Sequence, residues 1–154
     1  MTKLHNEIII NAPVEKIWKI LANLTELQNY DPTVLKSTIT SVNTDGLNAS
    51  RKVDMKDGKH WFKEKMTVCK ANESLTYELT DCNFPIDGLQ HSYSFERIGN
   101  QTKVSQEMEY DVKWGFLGKL MDKLMIRKQT DGGIKKFFVG LKEYAEKNYA
   151  EDKK

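Results

Sequence analysis

The sequence predicts an α+β protein: a seven-stranded antiparallel sheet, two short helices after the first strand, and one long C-terminal helix covering the sheet. Three observations carry that expectation. Turn signals recur at short intervals, at Thr44-Asp45-Gly46, Lys56-Asp57-Gly58, Ala71-Asn72-Glu73, Ile86-Asp87-Gly88 and Ile98-Gly99-Asn100. The segments between them alternate apolar and polar residues. A single stretch, about Phe116 to Lys147, instead spaces its apolar residues by three and four.

The opening segment KLHNEIIIN (3–11) alternates weakly and is expected to be a strand. Asn11 is placed to cap the next helix, with Pro13 in its first turn and Glu15 nearby. Ile17, Trp18, Leu21 and Leu24 fall at helical spacing, which predicts a helix over about 13–22. A second short helix, about 24–29, must end at Tyr30-Asp31-Pro32, because the residue before proline avoids the helical region. Strands are then expected near 34–43, 47–56, 59–70, 74–83, 88–98 and 101–113. Such short connections force antiparallel pairing. One parity collects Leu75, Tyr77 and Leu79; Leu89, Tyr93 and Phe95; and Val104, Met108, Tyr110 and Val112. The other parity is mostly polar, so the sheet should have one apolar and one wet face.

Only the C-terminal helix is large enough to cover that apolar face. Leu117, Leu120, Met121, Leu124, Met125, Ile134, Phe137, Phe138, Leu141, Tyr144 and Ala145 are expected to form one stripe against the sheet. Residues 1–149 make a single domain, and 150–154 look like a disordered tail. Gly132-Gly133 interrupt the helical stripe at a cost of ~2 kcal/mol relative to two alanines. They could break the helix, let it approach the sheet closely, or bend it and leave a cavity. Composition alone favours the first two.

A net charge of +2, with basic and acidic residues interleaved, argues against nucleic acid as a partner. No apolar run approaches the ~20 residues of a membrane span. The N-terminus has neither the apolar core nor the small-residue cleavage site of a signal peptide. Cys69 and Cys82 lack disulfide-framework or metal-site spacing, so both are expected as free thiols in a reducing, cytoplasmic setting. No G-x-S-x-G, P-loop, H-E-x-x-H or Cys/His cluster occurs, so no metal or other cofactor is expected.

Several polar residues share the inward parity: Arg51 before Val53 and Met55, Glu64 between Phe62 and Met66, Asp81 after Leu79, His91 between Leu89 and Tyr93, and Gln106 between Val104 and Met108. An unpaired buried polar group costs a few kcal/mol. These groups must therefore pair internally, as Arg51 with Glu64 could, or meet water or a ligand. His5 and His60 are expected at the surface, which leaves His91, with Glu64 or Asp81, as a weak acid–base candidate.

The order of segments resembles the START-like (SRPBCC) superfamily, in its polyketide cyclase/dehydrase-like and coenzyme Q-binding-like branch. INAPVEKIWKIL is similar to that family's first helix, and NLTELQNYDPTV to its aromatic segment ending in proline. LNASRKVDM resembles its Gly/Ala-x-Arg strand, and GFLGKLMDKLMIRKQTDGGIKKFFVGLKEYAE its closing helix. The resemblance implies a helix-grip fold, in which a curved sheet wraps a long helix around a deep hydrophobic cavity. It favours the third reading of the glycines. Inward parity and the helical stripe then place Arg51, Val53, Phe62, Glu64, Met66, Tyr77, Leu79, His91, Tyr93, Met108, Tyr110, Gly132, Gly133 and Phe137 around that cavity as the expected ligand site.

The expected function is binding or transport of a hydrophobic small molecule or lipid. The alternatives are a cofactor-free cyclase or dehydratase using the same cavity, with His91 and Glu64 as its groups, and an interaction module using the wet face. GFLGKLMDKLM is apolar at both 120/121 and 124/125, with Lys119, Lys123 and Arg127 in an i, i+4 row beside it. That row is either ordinary solvated surface or a transient contact with anionic membrane.

Overall fold

The computed structural model describes residues 1–154. Strand β1 (Thr2–Ile10) leads into helices α1 (Val14–Ala22) and α2 (Leu27–Tyr30). Strands β2 (Val34–Ile39), β3 (Ser50–Met55), β4 (Trp61–Lys70), β5 (Ser74–Cys82), β6 (Ile86–Ile98) and β7 (Gln101–Val112) follow. Helix α3 (Gly115–Met121), a π-helical turn (Asp122–Ile126) and α4 (Arg127–Asp152) form one continuous helix of 38 residues. The strand order is β1-β7-β6-β5-β4-β3-β2, antiparallel throughout. β1 pairs with β7 in a register that sets Leu4 opposite Met108 and Ile8 opposite Val104.

Register shifts in the β2–β3, β4–β5 and β6–β7 pairs mark irregularities of the kind that bend and twist a strand. The sheet so curved grips α4, while α1 and α2 lead the chain from edge strand β1 to the opposite edge strand β2. Val53, Met66, Leu75, Tyr77, Val104 and Tyr110 are fully buried on the concave face and share one core with Ile134, Phe137, Phe138, Leu141 and Ala145 of α4.

Three local expectations change. Asn11 does not cap α1. Pro13 is the cap residue, its carbonyl accepting from Lys16 and Ile17, while the Asn11 amide donates to Glu146 of α4 at 2.9 Å. The closing helix continues through Ala150 to Asp152, where Lys16 meets Asp152 at 2.8 Å, so the segment expected as a disordered tail is largely helical.

The apolar stripe of the closing helix does not face the sheet along its whole length. Leu117, Leu120, Leu124 and Met125 are exposed, and Gly118, Asp122 and Ile126 turn inward instead. Nine residues separate Met125 from Ile134, which is roughly two and a half turns at 3.6 residues per turn, so the two stand on opposite sides. The wider π turn between Asp122 and Ile126 offsets the residues upstream further.

Gly132 and Gly133 neither break the helix nor permit a close approach. A Cβ at either would meet nothing within 4 Å. The close approaches occur at other glycines. A Cβ on Gly118 would fall 1.8 Å from the Lys113 carbonyl oxygen, and one on Gly140 would fall 1.8 Å from that of Tyr30.

These contrasts fix an expected ranking. Gly132→Ala should raise stability by up to ~1 kcal/mol through helix propensity alone. Gly140→Ala should lower it despite the same gain, because the Tyr30 backbone must move. Urea unfolding of the two variants checks this, and a stabilised Gly140→Ala protein would show that the α2–α4 contact yields easily.

Candidate functional site

Arg51 on β3 stands opposite Glu64 on β4, and both side chains enter the concave side, where they are 3% and 1% exposed. Arg51 donates from Nε at 2.8 Å and Nη2 at 2.6 Å to Glu64 Oε1. Its guanidinium lies 4.7 Å from the centre of the Tyr77 ring, and its Nη1 reaches the Leu24 carbonyl at 3.5 Å. The Tyr77 hydroxyl donates to the Leu21 carbonyl at 2.7 Å.

The other carboxylate oxygen, Oε2, lies 2.8 Å from His91 Nε2. An ionised carboxylate only accepts, so Nε2 carries the proton and donates. Tyr93 lies 3.1 Å from His91 Nδ1 and accepts from Gln106 Nε2 at 2.9 Å. With Nδ1 unprotonated, Tyr93 donates to it, and donation runs from Gln106 through Tyr93 and His91 to Glu64. Tyr77 stacks on His91 with ring centres 5.4 Å apart. Gln106 Oε1 is buried without a partner.

Burial alone would raise the Glu64 carboxyl, but Arg51 and then His91 outweigh it and hold it at about 2. Burial would lower the Arg51 guanidinium, and Glu64 reverses that, leaving it above its ordinary value. Burial pushes the Tyr77 hydroxyl up to about 12 and raises that of Tyr93 as well.

These groups border a pocket of about 240 Å³ between the sheet and α4. Arg51, Phe62 and Glu64 line it from β3 and β4, Tyr77, Leu79, His91 and Tyr93 from β5 and β6, and Met108 from β7. Gly133 and Phe137 close it from α4. Val53 and Met66 are fully buried in the core without lining the pocket, and Gly132 is also outside its wall. Tyr110 is drawn aside, donating to Asp122 Oδ1 at 2.6 Å, with Thr2 on the other carboxylate oxygen at 2.5 Å. Asp81 is exposed. The register shift after Lys63 sets Glu64 opposite Leu79 but Lys63 opposite Asp81, so the parity reverses there.

Sequence reasoning missed the wall made by the first helices. Leu21, Leu27, Tyr30 and Asp31 line the pocket, as does Phe84 from the β5–β6 loop. The aromatic segment before Pro32 carried a signal for Tyr30; a loop residue such as Phe84 carries none. His5 and His60 sit at the surface, beside Glu107 and Asp57. Both cysteines are free, and no three His, Cys, Asp or Glu side chains converge as a metal site. No helix is long and apolar enough to cross a membrane.

A curved sheet gripping a long helix, with a polar cluster enclosed between them, defines a helix-grip protein of the START-like class. The chain belongs to the polyketide cyclase/dehydrase and lipid transport family, whose sequence pattern matches residues 1–146. No curated protein matches it significantly. Among solved structures it is similar to the Zhui aromatase/cyclase from Streptomyces sp. R1128, at 11% identity and a TM-score of 0.81 over 94% of this chain and 93% of that one. The protein TTHA0849 from Thermus thermophilus is similar at 19% identity and a TM-score of 0.79, over 94% and 97%. A START superfamily protein from Mycobacterium smegmatis follows at 16% identity and a TM-score of 0.73, over 92% and 97%. At these identities the likeness concerns the fold.

The charge pair makes a stability prediction. Glu64→Gln should cost ~3–5 kcal/mol at neutral pH, because Arg51 stays buried without its counter-charge. Arg51→Met combined with Glu64→Leu should cost less, since no charge remains to be compensated. The folded Glu64 carboxyl is depressed from its ordinary 4.5 to about 2. Its contribution is therefore fully present above about pH 4.5 and is lost as pH falls through about 2. Denaturant unfolding across that window should show wild type losing stability more steeply than Glu64→Gln. Parallel curves would remove Glu64 as the titrating group.

Proposed function

We propose that this protein binds a hydrophobic small molecule or lipid, bearing one polar end, in the pocket between sheet and closing helix. The observation that carries this reading is a pocket walled mostly by apolar side chains, with Arg51, Glu64, His91 and Gln106 converging at one side of it, the usual form of a small-molecule site. The volume of about 240 Å³ exceeds the ~150 Å³ of an engineered apolar cavity that takes up benzene. A ring-sized apolar group matches the space as it stands. The orphaned Gln106 Oε1 can accept a hydrogen bond from a ligand hydroxyl or amide, and Tyr93 beside it fixes the amide's orientation. The family's description, polyketide cyclase/dehydrase and lipid transport, supports an apolar ligand of either kind.

A second reading, cyclase or dehydratase chemistry in the same pocket, draws on the directed chain through Tyr93 and His91 to Glu64. It is also supported by the fold shared with the Zhui aromatase/cyclase. Conversion of a polyketide-like substrate, lost in His91→Ala, would select it over binding alone.

The binding reading is tested with the neutral dye phenylnaphthylamine and by native mass spectrometry after incubation with lipid extract. Gly133→Leu projects a side chain into the pocket and should weaken dye binding at least ~10-fold, about 1.4 kcal/mol. Gly132→Leu, outside the wall, should leave it unchanged and serve as the folding control. Equal dye affinity in wild type and Gly133→Leu, with no mass adduct, would defeat the proposal.

A further inference from the structure

We infer that the first half of the closing helix is a docking surface for anionic lipid bilayers. Six large apolar side chains stand in solvent there: Trp114 is 62% exposed, Phe116 81%, Leu117 67%, Leu120 45%, Leu124 73% and Met125 46%. Along one helix Leu120 follows Phe116 by four positions and Leu117 by three, and Leu124 follows Leu120 by four, so these share a face and form a ridge rather than scattered surface positions. Nothing else in the chain covers them. The ridge is not a displaced piece of core. Gly118, Asp122 and Ile126 already fill the side turned to the sheet, and Asp122 is pinned by Thr2 and Tyr110.

Charge selects the occupant. Residues 113–128 carry Lys113, Lys119, Lys123, Arg127 and Lys128 against a single acid, Asp122. That acid is buried, and Arg127 reaches it only at 3.7 Å. Lys119 and Lys123 are exposed and make no salt bridge within the chain. An apolar ridge flanked by unpaired lysines suits a surface that offers hydrocarbon and negative charge side by side, as an anionic bilayer does.

Trp114 adds an independent mark. Its φ of 72° is a left-handed conformation that a bulky residue rarely adopts, and its side chain stands in solvent. Tryptophan is favoured at membrane–water interfaces because its ring is apolar and its N–H polar. The surface also adjoins the pocket. The Lys113 amide donates to the Pro85 carbonyl, between pocket-lining Phe84 and Ile86. Docking is inferred from the surface alone and stands whether or not the pocket binds a ligand.

The test is co-sedimentation of the full chain with vesicles of phosphatidylcholine, alone or mixed with phosphatidylserine. Binding is expected to the mixed vesicles, to weaken with added salt, and to shift tryptophan emission to the blue, with the shift lost in Trp114→Phe. Lys119→Glu combined with Lys123→Glu should weaken binding by at least ~30-fold, since each basic residue contributes about a factor of five or more near an anionic surface. Arg127 is left in place because it faces Asp122. Phe116→Ser combined with Leu124→Ser should weaken binding while the thermal melt is retained. Failure to bind mixed vesicles, equal binding to neutral ones, or equal binding by the lysine variant would each overturn the inference. So would a concentration-dependent dimer that buries Trp114 and binds no vesicle.

Discussion

Arg51 and Glu64 lose nearly all their water when the sheet closes over them, and the concave face is arranged to offset that loss. The desolvation of each ion costs several kcal/mol, which only close geometry and further hydrogen bonds repay. Those extra partners come from elements far apart in the chain. Leu24, just past the end of α1, and Leu21, within its last turn, present carbonyls to Arg51 and Tyr77 respectively. Ser37 on β2 donates to the same Leu24 carbonyl. Carbonyls near a helix C-terminus have no helical partner and carry the negative end of its dipole, so they suit a guanidinium. The ion pair therefore orients the charges and also fastens α1 and its following turn to the sheet.

The closing helix is held by a different means. It touches backbone closely at two places, Gly118 against Lys113 and Gly140 against Tyr30, and stands clear between them at Gly132 and Gly133. Polar contacts tie its flank to edge strand β1: Asn6 donates to Asp131 at 3.2 Å, and Lys142 donates to the Ile9 carbonyl at 2.8 Å. Near the π turn, Asp122 gathers Thr2 and Tyr110. Anchored at its ends and along one flank, the helix need not fill the middle with side chains. The glycine pair gives up propensity there, and the pocket reaches the helix at Gly133.

Much of this was legible in the sequence because it rests on local periodicity. Turn residues at regular intervals gave the strand count, and period-two alternation placed Tyr77, Tyr93 and Met108 on one face. Parity also brought Arg51, Glu64, His91 and Gln106 inward. It failed at Asp81, where a register shift reverses the faces, and no residue near Asp81 announces that shift. The helix stripe failed for a related reason. Spacings of three and four hold on each side of the gap between Met125 and Ile134, but phase does not carry across it. Gly118 and Gly140 escaped notice because a close approach depends on what comes near, and the sequence states only what is missing.

The internal chemistry of the cluster bears on how the pocket can work. A general base performs best when its pKa lies near the working pH and a lone pair faces the substrate. Glu64 meets neither condition: its carboxyl is held at about 2, and both its oxygens accept from Arg51 or His91. Each proton of the chain through Tyr93 and His91 already has an acceptor. What stays unsatisfied is a single acceptor, Gln106 Oε1, beside apolar walls. Under the proposed binding reading, that open acceptor is the position that would meet the polar end of an apolar molecule. To act on that molecule as a base, Glu64 would first have to leave Arg51, and the surrounding cluster is built to keep the two together.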